Sequence, residues 1–255
     1  MYSEYIKKLI STGHIVIGKN VVLGEGISFI TAVDSITIIE DNVSVGNNVS
    51  VGYNSVIRKG SSVGSYSRIG NNVSVGENVH ITKSTHIGDY VELMRNCKVL
   101  KQSEIGDYVV LGEGSICADS AIEYNVMVGD NSSIDTCSVI GCNSTIGDST
   151  LINDTTMGTD CVIHNNVRIS MSNMPSHIEV SPDVSLHNVN TLLRDYMVYV
   201  FPVCKLTHGI IKRACMNKLG HISNDILHKH VLHRSQITMR FLNTITNFIS
   251  MYILS

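Results

Sequence analysis

The sequence predicts an all-β fold, a solenoid of short parallel strands wound three to a coil, followed by an α-helical C-terminal extension. Three observations predict it. Aliphatic residues recur every six positions, Gly and Asn hold fixed places within each hexad, and both patterns stop near residue 173. A period of six fits neither the 3.6 residues of a helix nor a heptad.

The series is unbroken from Ile39 through Val45, Val51, Ile57, Val63, Ile69, Val75, Ile81, Ile87, Leu93, Val99, Ile105 and Leu111 to Cys117. After a step of five it resumes at Ile122 and runs to Ile152; a second step of five leads to Met157, Ile163 and Ile169. Ile17, Leu23 and Phe29 belong to the same lattice, which residues 30–38 interrupt. Fourteen of the 20 Gly directly follow the aliphatic residue, so glycine is part of the repeat. Asn stands three places after it, as at Asn42, Asn48, Asn54, Asn72 and Asn78, and a small or β-branched residue stands four places after it, as at Val43, Ser61 and Val79.

Gly and Asn tolerate the left-handed backbone conformation that other residues resist. A turn in every hexad therefore bends the chain repeatedly in one sense. The β-branched residues between turns favour short strands. The aliphatic residue and the small residue two places before it share parity and point to one side. Three such strands per triangular coil, stacked coil on coil, bury these side chains in one column.

The chain divides accordingly into an N-terminal lead-in (residues 1–16), the repeat (17–173, eight or so coils), an irregular exit segment with Pro175 and Pro182 (174–189), and a basic extension (190–255). Spacings such as Leu192, Leu193, Tyr196 and Met197, then Phe241, Leu242, Ile245, Phe248 and Ile249, predict helices in that extension. Charge divides with it. Residues 1–189 hold eleven Lys or Arg against twenty Asp or Glu, a net of −9, whereas residues 190–255 hold eight against two, a net of +6.

Composition excludes several classes. Hydrophobic residues at 43% argue against disorder, and no apolar run reaches a membrane span. The first residues lack the apolar core and cleavage site of a signal peptide. Seven Cys without paired spacing fit a reducing compartment and a cytoplasmic protein. The overall net charge of −3 does not point to nucleic acid.

The pattern I-G-x-N-V-x resembles the hexapeptide repeat of left-handed parallel β-helix proteins, most of which are acyltransferases. The resemblance covers about residues 17–173. It implies a left-handed parallel β-helix, a homotrimer, acetyl-CoA as acyl donor, and a His that deprotonates the acceptor hydroxyl or amine as it attacks the thioester. Backbone N–H groups would stabilise the oxyanion.

Residues three hexads apart then stack at the ~4.8 Å strand spacing, and the residue before each aliphatic one points outward. Three exterior ladders follow: Ser50, Arg68, His86 and Glu104; Ser44, Ser62, His80, Lys98 and Ile116; and Val56, Ser74, Glu92 and Val110. In the first, His86 lies between a cation and a carboxylate. A carboxylate can orient an imidazole and raise its basicity, so His86 is the candidate base, Glu104 its orienter and Arg68 a charge stabiliser. The alternative is a solvated ladder of mixed charge. His80, on the next face, is a second candidate. His164 is a third, because it takes a place usually held by Gly. His14, in GHIVIGKNV, resembles a G-H-x-x-[IV]-G stretch of some sugar N-acetyltransferases. His177 and His187 lie in the exit segment, where they could line a cleft. Asp34 and Ser35 lie in the interruption.

No metal is expected. A γ-class carbonic anhydrase shares the implied fold but needs three converging His, and His80 and His86 lie on different faces. His228, His230 and His233 do not converge at helical spacing. Cys97, Cys117 and Cys161 fall at inward places, whereas Cys137 and Cys142 fall at turns. The expected function is an acetyl-CoA-dependent O-acetyltransferase acting on a sugar or a surface or capsular polysaccharide. The alternatives are a non-catalytic β-helix scaffold or binding subunit and, ranked last, a γ-class carbonic anhydrase-like protein, which would need bound zinc. The basic extension would cap or assemble the solenoid, or touch the inner face of the membrane.

Overall fold

The computed structural model describes residues 2–189 and the backbone of residues 198–200. The chain begins with a helix, Glu4–Ser11, where the sequence predicts only a lead-in. The Ser3 hydroxyl accepts the Ile6 N–H at its start, the usual role of a serine N-cap. Ile6 and Leu9 are buried, and the Tyr5 hydroxyl donates to the Phe29 carbonyl at 2.8 Å. The helix thus packs on the first coil.

Parallel strands of mostly two or three residues follow, as the hexads require. Each pairs with the strand one coil onward, and every predicted exterior ladder is found in register. Ser50, Arg68, His86 and Glu104 are successive partners on one face, as are Ser44, Ser62, His80, Lys98 and Ile116 on another. Val56, Ser74, Glu92 and Val110 align on the remaining face. We call the faces first (Val56), second (Ser62) and third (Arg68), in chain order within a coil. The aliphatic series fills the interior, with Ile39, Ile57, Ile69, Ile87 and Ile140 fully buried.

The coil length follows the repeat. A coil normally advances 18 residues, as from His80 to Lys98. The first coil advances 22, from Ile17 to Ile39, because the interruption adds a loop. The steps of five shorten coils to 17, as from Glu104 to Ala121 and from Val139 to Thr156. Across the second, Leu151–Met157 runs as one continuous strand.

Two features close the backbone hydrogen bonding at the corners. Small inward hydroxyls bridge coils: Ser61 Oγ donates to the Gly76 carbonyl at 2.7 Å and accepts the Val79 N–H at 3.1 Å. Ser55 and Ser132 do the same. Outside, Asp and Asn side chains accept an amide from the preceding coil, as Asp89 does from Asn71 at 2.7 Å and Asp107 from Asp89 at 2.8 Å. Asp41, Asp130 and Asp148 repeat the contact. Five of the twenty acidic residues of 1–189 therefore serve the stacking of corners.

The solenoid is longer than predicted, about 10 coils instead of eight or so. Residues 174–189 are not an irregular exit segment: Ile178–Val180 and Ser185–His187 continue the first and second faces. Pro175 and Pro182 stand at corners, where a fixed φ and a missing N–H are tolerated. Val198–Val200 pairs beside Ile178–Val180 as a further strand, in place of the predicted helix. Its Val-Tyr-Val run, followed by Pro202, suits a strand. The rest of the predicted helical extension, with His228, His230 and His233, lies outside the described residues.

Candidate functional site

The third face carries the candidate ladder. His86 stands between Arg68 and Glu104 in strict register, and all three side chains are exposed. No hydrogen bond or ion pair joins His86 to either neighbour, because outward side chains on a flat parallel face can each turn to water. Adjacent-coil spacing alone does not close an imidazole–carboxylate contact.

His80 lies on the second face of the same coil. Its Nδ1 is hydrogen-bonded to Ser62 Oγ one coil earlier. The corner between His80 and His86 carries Lys83, and Lys101 stands at the same corner one coil later. With Thr82, Gln102 and Asp119 these lysines line a shallow depression of about 400 Å³. Lys98 follows His80 on the second face. Arg68, Lys83, Lys98 and Lys101 are thus four of the eleven Lys and Arg of residues 1–189, gathered around one corner. The carboxylates near them are Glu104, Asp119 and Asp135, the last 3.9 Å from Lys101 Nζ. Such a corner suits phosphate groups.

His164 lies elsewhere, at a first-to-second corner near the C-terminal end of the coils. Its Nε2 is 2.9 Å from Glu179 Oε1 on the first face of the next coil. This is the imidazole–carboxylate contact that sequence reasoning placed at His86. Glu179 was missed because it lies in the segment predicted to be irregular. Its signal was available: Ile178, Val180, Val184 and Leu186 carry the inward alternation past Pro175.

The other histidines serve their corners. His14 Nδ1 is 3.4 Å from the Ser35 carbonyl and so ties down the inserted loop. Ser35 is itself buried, its hydroxyl donating to the Ala32 carbonyl and accepting the Ala32 N–H, both at 2.8 Å. Asp34 sits at the loop tip with φ +57°. His177 is 3.9 Å from Asp160, and His187 Nδ1 is 2.8 Å from Ser170 Oγ.

The cysteines fall as the hexad predicts. Cys97, Cys117 and Cys161 are buried, Cys142 is half-buried and Cys137 is exposed. Burial pushes the Cys117 thiol up to about 12, and raises Cys97 and Cys161 as well. Buried, protonated thiols are poor nucleophiles. Among the described residues, no group of three His, Cys, Asp or Glu side chains is placed to hold a metal ion. No helix among them is long and apolar enough to cross a membrane.

No family model matches the chain, and no curated protein matches it. Solved structures do. UDP-N-acetylglucosamine O-acyltransferase from Moraxella catarrhalis RH4 is 15% identical, covers 92% of this chain and 91% of its own, and gives a TM-score of 0.45. UDP-N-acetylglucosamine acyltransferase from Campylobacter jejuni is 16% identical, with 92% and 89% covered and a TM-score of 0.35. A mutant of GDP-perosamine N-acetyl transferase from Caulobacter crescentus, in complex with CoA and GDP-perosamine, is 13% identical, with 59% of each chain covered and a TM-score of 0.32. At these scores none of them bears on the choice of site residues.

Proposed function

We propose that the chain is an acyl-CoA-dependent acyltransferase, and more specifically an acetyl-CoA-dependent O-acetyltransferase acting on a sugar or a surface polysaccharide in the cytoplasm. The hexad resemblance supports the reaction class. The observation that carries the site is the Arg68–His86–Glu104 ladder, bordered at the corner by Lys83 and Lys101.

In this reading the corner cations receive the phosphates of the acyl donor, and Arg68 adds positive charge beside the reacting groups. The His86 imidazole takes the proton of the acceptor hydroxyl as its oxygen attacks the thioester carbonyl. The C–S bond then breaks, and the departing thiolate takes that proton from the imidazolium. Glu104 stabilises the transient positive charge on His86. In the homotrimer that the resemblance implies, a neighbouring subunit would cover the flat face and exclude water.

The test is transfer of labelled acetyl groups from acetyl-CoA to polysaccharide prepared from the source cells. His86→Ala should lower transfer by a factor of about 10²–10⁴. Normal turnover in that variant refutes the base assignment. Acetyl-CoA should also raise the thermal midpoint of the wild-type protein; no shift favours the non-catalytic scaffold.

The His164–Glu179 contact favours a second reading, in which His164 is the base and Glu179 orients it. There His164→Ala, and not His86→Ala, abolishes transfer.

A further inference from the structure

The corner on the far side of the third face departs from the repeat. One residue per coil there adopts the left-handed conformation, and in four of the eight coils from Asn54 to His177 it is Asn. Asn54 Nδ2 donates to Asn72 Oδ1 at 3.3 Å. Further along, Asn125 Nδ2 donates to Asn143 Oδ1 at 2.9 Å, and Asn143 Nδ2 to Asp160 Oδ1 at 3.3 Å. Between these two runs the column holds Tyr90 and Tyr108, with φ of +57° and +58°.

Both tyrosines are locally unfavourable. A bulky residue is uncommon in the left-handed region, which Asn and Gly tolerate. Each ring also breaks the side-chain amide ladder. The rings stack at 4.8 Å between centroids with planes 2° apart, yet they remain 50% and 56% exposed. In the next coil the column returns to Asn125, and Tyr124, 52% exposed, holds the place before it, equivalent to Asp107. A local departure that keeps aromatic surface in water points to function. The neighbouring Asp89 and Asp107 carboxylates each accept a backbone amide of the preceding coil, whereas the rings have no such structural partner among the described residues. The place is specific: Tyr90 follows His86 by four residues on one coil, and Tyr108 follows Glu104 by four on the next.

We propose that Tyr90 and Tyr108 form the platform on which the acceptor glycan lies. A pyranose presents apolar C–H surface rimmed by hydroxyls. A tyrosine matches it with an apolar ring and a polar tip. The strip runs along the solenoid axis beside the third face, so a linear polysaccharide lying on it brings successive hydroxyls past His86. The inference rests on the acyltransferase reading and names its acceptor as an extended glycan.

The test uses the Tyr90→Asn/Tyr108→Asn double variant of the full chain. Asn fills this column in four other coils, so the variant should melt no lower than wild type. Ring NMR signals and ligand saturation transfer are followed with cellohexaose, chitohexaose and hexagalacturonate. At least one should bind wild type, shift the Tyr90 and Tyr108 ring signals, and bind the double variant about tenfold more weakly. The acetyl-CoA thermal shift should be unchanged in that variant. Equal binding to both proteins, or no ring shift with any of the three, overturns the platform. Binding at the rings without any acetyl transfer leaves the platform standing and overturns the acyltransferase reading instead.

Discussion

Replacing Ser61 by Ala tests how one coil is held to the next. Ser61 is buried, and its hydroxyl makes two contacts with the following coil: it donates to the Gly76 carbonyl at 2.7 Å and accepts the Val79 N–H at 3.1 Å. Two orphaned buried groups would cost roughly 2–4 kcal/mol, at about 1–3 kcal/mol each with some overlap. The structure contains a partial remedy. The same corner in other coils closes an amide onto the carbonyl three residues back, as in Ser61 N–H to Arg58 O at 3.4 Å, Cys97 to Met94 at 3.4 Å and Ser115 to Gly112 at 3.2 Å. Val79 and Gly76 hold the equivalent positions, so they can pair with each other once the hydroxyl is gone. These bonds are long, and the rescue is incomplete. The expected loss is therefore roughly 1–2 kcal/mol, or a fall in melting midpoint of about 2–8 °C for a unit of this size. Outward Ser74→Ala serves as control and should stay within about 0.5 kcal/mol. The assay is thermal and denaturant unfolding of both variants beside wild type. A Ser61→Ala loss no larger than the control's would refute the bridging role. A loss above about 4 kcal/mol would refute the rescue.

Other substitutions separate structural from chemical roles. A Cβ at Gly64 would lie 2.3 Å from Lys83 N and 2.4 Å from Thr82 C, both backbone, so Gly64→Ala should sharply lower the yield of folded protein and its melting midpoint. Asp89→Asn should be tolerated, because Asn71 and Asn165 do the same job elsewhere, whereas Asp89→Ala should cost about 1–2 kcal/mol by unfolding. Thiol labelling of the native protein should modify Cys137 and spare Cys97, Cys117 and Cys161 until it unfolds. The Cys117 thiol rises from 9.0 to about 12 on folding, so its contribution is complete below pH 9.0 and is lost as pH rises toward 12; unfolding free energy should decline across that window, and less steeply in Cys117→Ala.

The solenoid was legible because each hexad repeats the same requirements of turn, core and strand. A pattern stated so many times identifies the inward residues and exterior ladders of the uninterrupted repeat, and the ladder registers agree at Arg68, His86 and Glu104. The prediction failed where proline overrode the pattern. Pro175 and Pro182 read as the end of the repeat, although a corner accommodates them and Ile178 to Leu186 keep the alternation. The helix Glu4–Ser11 was missed because one short amphipathic stretch carries no repeat to reinforce it.

By itself, then, the sequence determined which residues face inward, which stack, and how long each coil is, since these depend on local backbone geometry and on periodicity. Only the tertiary structure decided which stacked side chains touch. His86 and Glu104 are in register without a contact, whereas His164 and Glu179, offset by 15 residues across a corner, meet at 2.9 Å. The same holds for the tyrosines. Their spacing was visible, but their stacking, exposure and break in the Asn ladder depend on side chains from separate coils sharing one corner. Register follows from backbone hydrogen bonds. Contact between exposed side chains depends on rotamers and on competition with water, and neither is written in the period.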